Sequence, residues 1–188
     1  IMITAGIVGA SGYSGEVLLE LLSGHPEVER TEVASRSHTG KAVEDVLPRL
    51  AGRLPGTRFI EADPGSLAAM EVDVWFLALP HGVAVEYAVP FMEAGRLVID
   101  LSADFRLRDP ELYRRYYGAD HPVSGMLSRV PYVLPEWDGE TAWKEASLIA
   151  CPGCYPTSVL FPLLPLLKAE VIGREGIVIN SLSGVTGA

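Results

Sequence analysis

Cysteine is scarce in this chain: two residues in 188, Cys151 and Cys154. Two cysteines so close together exclude a disulfide framework, and with no basic, cleavable leader in the sequence they fit a reducing, cytoplasmic compartment. A zinc site built on C-x-x-C would want a second Cys/His pair, and no other cysteine exists, so no metal is expected. Positive charge is short as well, with 15 Lys and Arg against 24 Asp and Glu and a formal net charge of −9. That balance excludes non-specific binding to nucleic acid or to an anionic membrane, both of which depend on a basic surface. Long hydrophobic runs are missing too. The most apolar segment, Val159 to Leu167, is far too short to span a bilayer and carries Pro162 and Pro165.

What is present is the material of a folded domain: 48% of residues are hydrophobic, over a length that suits one domain or one domain and the start of another. Ile3 to Val8 is an apolar, partly β-branched run that reads as a buried strand. Gly9-Ala10-Ser11-Gly12-Tyr13-Ser14-Gly15 follows, and then Glu16 to Leu22 with apolar positions at helical spacing and Gly24 as a stop. Strand, glycine turn and helix in that order form a G-x-x-G-x-x-G variant of the dinucleotide fingerprint, in which bare backbone approaches a pyrophosphate at a helix N-terminus. Gly9, Ser11, Gly12, Tyr13, Ser14 and Gly15 are therefore candidate cofactor residues. The alternative is a tight turn without a ligand.

The next strand, Glu29 to Ala34, should end where an adenosine ribose is read, and it leads into Ser35-Arg36-Ser37. An NAD site usually places an acidic residue there, whereas a 2′-phosphate asks for a cation and hydroxyls; Ser35 and Arg36 point to NADP. Between His38 and Gly65 the pattern supports only a short helix near Ala42 to Leu47 and a strand near Thr57 to Ile60. Val72 to Ala78 and Leu97 to Asp100 read as further buried strands, separated by a helix over Val83 to Ala94 that bends or ends near Pro90. This alternation predicts an α/β fold, a Rossmann-type doubly wound parallel sheet. Ligands of such sheets lie beyond the carboxyl ends of the strands, where Pro80, His81, Ser102 and Arg106 fall.

Arg106 and Arg108 lie in an Arg- and Tyr-rich stretch with one helix near Pro110 to Tyr116. Arg106 is the candidate for an anionic substrate, since its planar fork donates two parallel hydrogen bonds to phosphate; Arg108 alternatively pairs with Asp104 or Asp109. Ser147 to Ala150 reads as a strand, followed by Cys151-Pro152-Gly153-Cys154-Tyr155-Pro156-Thr157 and a helix. A cysteine at a strand-to-helix junction sits where unpaired N–H groups and the helix dipole favour a thiolate, and Cys154 is the better placed of the two. Gly176 to Ser181 reads as a last strand. Its apolar residues and the face of the Val159 to Leu167 helix would need partners, and a homo-oligomer is expected.

The motifs Gly9 to Gly15, Leu79-Pro80-His81-Gly82, Asp100 to Arg106, Leu134-Pro135-Glu136, Pro152 to Thr157 and Ser183-Gly184-Val185-Thr186-Gly187-Ala188 occur together and in order across the whole chain. In this the sequence resembles the N-acetyl-γ-glutamyl-phosphate reductase family of arginine biosynthesis. It departs from that pattern at Cys151, where Asn is more frequent, and at Val133, where Gly is usual. The resemblance implies an NADP-binding Rossmann domain over 1–150 and the beginning of an α+β catalytic domain over 151–188. It further implies Cys154 as the catalytic nucleophile, a small-molecule acyl phosphate as substrate, Arg106 and Glu136 at the substrate, and Ser183 and Gly184 beside the cofactor. Family members are considerably longer and carry their acid/base histidine beyond the position of Ala188, so the 188 residues alone are expected to lack turnover. Other readings stay open: the same chemistry on an aspartyl or carrier-bound aminoadipyl phosphate, a non-catalytic NADP sensor, and a dithiol pair at Cys151 and Cys154.

Overall fold

The structure, a computed structural model, describes residues 2–182 and 184. The chain divides between Cys151 and Pro152 into two compact units.

In the first unit, strands and helices alternate: β1 (Ile3–Val8), α1 (Tyr13–Ser23), β2 (Val28–Ala34), α2 (Val43–Val46), α3 (Pro64–Ala68), β3 (Val74–Leu77), α4 (Val85–Glu93), β4 (Leu97–Asp100), α5 (Pro110–Tyr117) and β5 (Leu148–Ala150). Among the described residues the sheet has five strands, all parallel, in the order β2-β1-β3-β4-β5. Parallel strands need crossovers that cover both faces, and such strands read as continuous apolar runs because neither side meets water. Successive side chains of β1 accordingly serve two cores. Ile7 packs with Leu19, Val33, Val43, Leu50 and Phe59, whereas Val8 packs with Trp75, Leu77, Tyr87 and Phe91 on the other face. Trp75 and Phe91 stack with ring centroids 4.8 Å apart and join β3 to α4.

The order of strands reverses direction at β1 and β3, whose carboxyl ends lie side by side. Such a switch point opens the crevice in which open α/β sheets hold ligands. Four of the candidate motifs directly follow β1, β2, β3 and β4 and so collect along this edge of the sheet.

Three sequence expectations differ from the structure. Thr57 to Ile60 forms only isolated bridges, Ala34 with Ile60 and Ala42 with Arg58, because the pairing stops after one residue on each side. Of the two outcomes read for Pro90, a bend or an end, the end is not met: α4 runs on to Glu93, close to the expected bounds; a proline costs one backbone bond, and the buried faces of Tyr87, Ala88 and Phe91 hold the helix together across it. Gly176 to Ser181 is not a strand: Ile177, Val178 and Ile179 are exposed, and an extended segment becomes a strand only when a neighbour answers its backbone groups.

The second unit contains α6 (Cys154–Lys168), a 15-residue helix with Pro162 and Pro165 in its interior and no buried residue. Among the described residues no helix is long and apolar enough to cross a membrane.

Candidate functional site

The glycine turn after β1 is built from bare backbone. Gly9 has φ of +87°, which an L side chain rarely adopts, and its N–H reaches the carbonyl of Ala34 at 3.1 Å. A Cβ on Gly15 would run into the carbonyl oxygen of Gly9 and the backbone of Ala10. Gly12 stands at the N-cap of α1 without a side chain, and its N–H bonds the Gly9 carbonyl at 3.0 Å. The helix start is therefore free of any side-chain cap, leaving room and N–H groups for an anion. Tyr13 and Ser14 open α1 and are exposed. These features suit a pyrophosphate, which fits the cradle only because no Cβ fills it.

Hydroxyls gather beyond β2. Ser11 Oγ lies 3.2 Å from Ser35 Oγ, so the glycine turn and the end of β2 meet there. Ser35 Oγ is also 3.4 Å from Ser37 Oγ and accepts the Ser37 N–H, while Thr39 Oγ1 donates to the Ser35 carbonyl at 3.0 Å. Arg36 extends beside them. Its Nε donates to Tyr87 Oη at 3.0 Å, and its Nη2 donates to Glu86 Oε2 at 2.7 Å.

Past β3, Pro80 and His81 are exposed in the turn before α4. His81 Nδ1 sits 2.9 Å from Asp104 Oδ1, and its ring stacks on Tyr117 at 4.1 Å. Asp104 is fully buried and also accepts the backbone N–H of Gly82 at 2.6 Å and of Ala84 at 2.9 Å. One carboxylate thus fixes the whole turn after β3 to the loop after β4. Asp104 does not pair with Arg108, and Asp109 caps α5 instead by accepting the Glu111 N–H.

A second buried carboxyl, Asp100, ends β4. It accepts both the N–H and the Oγ–H of Ser102 at 2.9 Å. Burial pushes it up to about 6, against the downward pull of the Ser102 bonds. Cys151 follows β5; burial, and then the nearby Asp100, push its thiol up to about 11. Arg106 joins these two loops: Nε donates to the Cys151 carbonyl at 2.9 Å and Nη2 to the Leu101 carbonyl at 2.8 Å. Two of its five N–H groups are committed to backbone, which leaves three for a ligand. Glu136 is exposed on a separate loop.

In the second unit, Cys154 is the first residue of α6 and is exposed. The N-cap, Gly153, offers no side chain to the first turn, and Thr157 Oγ1 turns to the Gly153 carbonyl at 2.9 Å. Gly184 is exposed; Ser183 lies outside the described residues. No group of three or more metal-ligating side chains occurs among the described residues.

Sequence reasoning gave no site role to Asp104, Glu86, Tyr87 or Thr39. Asp104 had a signal, since Asp-x-Ser-x-Asp directly after a strand is a pattern of side chains that bond nearby backbone. Glu86 and Tyr87 had none: they meet Arg36 from a helix fifty residues away.

Known proteins resemble the chain over its whole length. A model described as the semialdehyde dehydrogenase NAD-binding domain matches residues 4–145, and one described as the semialdehyde dehydrogenase dimerisation domain matches 154–188. N-acetyl-gamma-glutamyl-phosphate reductase of Akkermansia muciniphila is 44% identical over 99% of this chain and 54% of its own length. The protein of that name in Ectopseudomonas mendocina is 46% identical over 100% of this chain and 54% of its own. The chain therefore spans about half the length of the curated relatives it matches. Among solved structures, aspartate semialdehyde dehydrogenase with NADP from Candida albicans superposes with a TM-score of 0.64 at 25% identity, covering 90% of this chain and 48% of that one.

Proposed function

The chain belongs to the semialdehyde dehydrogenase family, and from that premise we propose that it is the cofactor-binding and nucleophile-bearing part of an NADPH-dependent N-acetyl-γ-glutamyl-phosphate reductase. The observation that carries the chemistry is Cys154 at the uncapped start of α6. Its thiolate attacks the acyl carbonyl, the C–O bond to phosphate breaks with its electron pair leaving on phosphate, and an acyl thioester remains on Sγ. N–H groups at the helix start are suited to hold the oxyanion of the tetrahedral intermediate. Bound NADPH supplies the hydride that turns the thioester into the semialdehyde and frees Cys154.

The chain's own residues divide the remaining work. The Gly9–Gly15 turn and the start of α1 receive the pyrophosphate. Ser11, Ser35 and Arg36 receive a 2′-phosphate, which favours NADP over NAD; the structural relative from Candida albicans was solved with NADP. His81, held by Asp104, and the neighbouring Pro80 line the crevice where the nicotinamide end would lie. Arg106 steadies the loops after β4 and β5 and keeps three N–H groups for the substrate's phosphate, with Glu136 as a further substrate residue, while Ser183 and Gly184 are assigned to the cofactor. The match to a dimerisation domain supports a homo-oligomer.

Relatives at 44% and 46% identity carry the acetylglutamyl name, which favours that substrate over aspartyl phosphate. The test is NADPH oxidation by the full-length protein with each acyl phosphate in turn. Faster turnover of N-acetyl-γ-glutamyl phosphate supports the proposal, and preference for aspartyl phosphate overturns the substrate assignment.

A further inference from the structure

The guanidinium of Arg36 is not a free cation awaiting a ligand. Its Nε donates to Tyr87 Oη at 3.0 Å, and Tyr87 is itself fixed, fully buried and donating its own O–H to the Ala62 carbonyl at 2.8 Å. The guanidinium carbon lies 5.5 Å from the centre of the Tyr87 ring. On its outer side Nη2 meets Glu86 Oε2 at 2.7 Å. Tyr87 thus sets where Arg36 stands, and Glu86 answers its charge. One full edge of the fork, Nε with Nη2, is taken up by the protein, and a phosphate is left the Nη1 side.

A carboxylate at this point matters because of what the cluster otherwise offers. Ser11, Ser35 and Ser37 are neutral hydroxyls, so Arg36 brings the positive charge to this group. A 2′-phosphate bound to Arg36 would stand close to the Glu86 carboxylate, and like charges repel. Both Arg36 and Glu86 side chains are more than half exposed, at 59% and 58%, so water damps the effect without removing it.

We propose that Glu86 sets the balance between NADP and NAD: as the resident anion on Arg36 it competes with an incoming 2′-phosphate and holds the preference for NADP below what Arg36 and the hydroxyls would give without it. With NAD, whose ribose carries no phosphate, the Arg36–Glu86 pair stays closed. This inference rests on the reading that Arg36 receives the 2′-phosphate.

The test is calorimetric titration of NADP+ and of NAD+ into the wild-type protein, Glu86→Gln and Arg36→Gln. Glu86→Gln keeps the size of the side chain and removes its charge. For a carboxylate roughly 6 Å from a phosphate carrying about one to two charges in a near-aqueous medium, it is expected to tighten NADP+ binding about threefold to tenfold while NAD+ affinity stays within about twofold. The gain should shrink as salt is raised, because screening already weakens the repulsion. Unchanged NADP+ affinity in Glu86→Gln overturns the inference, and weaker binding overturns it in favour of Glu86 as an aligner of Arg36. Arg36→Gln separates the two levels. If it keeps the wild-type NADP+ to NAD+ ratio, the reading of the 2′-phosphate site falls and this inference with it. If it lowers the ratio while Glu86→Gln fails to raise it, only the role of Glu86 falls.

Discussion

Asp104, fully buried at the edge of the sheet, holds the imidazole of His81 through Nδ1 at 2.9 Å, and His81 lies flat against Tyr117. The bond has a chemical consequence. A carboxylate on Nδ1 fixes the ring with its proton there and turns Nε2 outward, so the exposed edge of His81 presents one orientation to the crevice. Asp104 also answers the Gly82 and Ala84 N–H groups, so it shapes the turn independently of the histidine.

Replacing the two residues should therefore have unequal effects. Asp104→Ala strands three donors at once, two of them backbone, and is expected to cost on the order of 2–4 kcal/mol of stability. His81→Ala leaves the carboxylate with both backbone donors and should cost less than about 1.5 kcal/mol. Urea denaturation of the two variants checks the order; an equal loss would mean that the histidine, and not the turn, is what the carboxylate supports.

Asp100 makes stability depend on pH in a stated direction. Its folded-state value, about 6, lies above that of an ordinary aspartate, so the folded chain holds a proton that the unfolded chain has released. The associated stability is present below about pH 4 and is lost as pH rises through about 6, a change on the order of 3 kcal/mol. Asp100→Asn cannot titrate. Its stability relative to wild type should therefore improve between about pH 4 and pH 7.5, as read from denaturant midpoints; a constant difference would show that Asp100 is ionised throughout.

The two cysteines should separate by reactivity. Cys151 is partly buried with its thiol raised to about 11, whereas Cys154 is exposed at a helix start. At pH 8 the thiolate fraction of Cys151 is roughly one in a thousand, so iodoacetamide should label Cys154 at least about tenfold faster. Peptide mapping by mass spectrometry reads this directly. Comparable rates would favour the reading of the pair as a dithiol.

The order and type of the main elements were legible because parallel strands buried on both faces leave an unmistakable apolar pattern and the glycine turn marks the first crossover. The position of Cys154 at a helix start was legible for a similar local reason, its place between Gly153 and an apolar helical run. What stayed hidden was made by distance. Arg36 could be read as a phosphate ligand from the strand end that carries it, but not as a residue already paired with Glu86 and leaning on Tyr87. Arg106 likewise advertised charge, while its bonds to the Leu101 and Cys151 carbonyls belong to two loops the sequence keeps apart. The segment from Gly176 to Ser181 failed in the other direction: its β-branched residues state a preference that only a neighbouring strand can satisfy.

The most direct measurement is of the covalent step. Full-length protein is mixed with N-acetyl-γ-glutamyl phosphate in the absence of NADPH, quenched in acid and digested for mass spectrometry. The proposal requires an N-acetylglutamyl thioester on the Cys154 peptide, one phosphate released per site, and loss of the adduct when NADPH is added. An unmodified Cys154 peptide, or undiminished NADPH oxidation by Cys154→Ser, would contradict it.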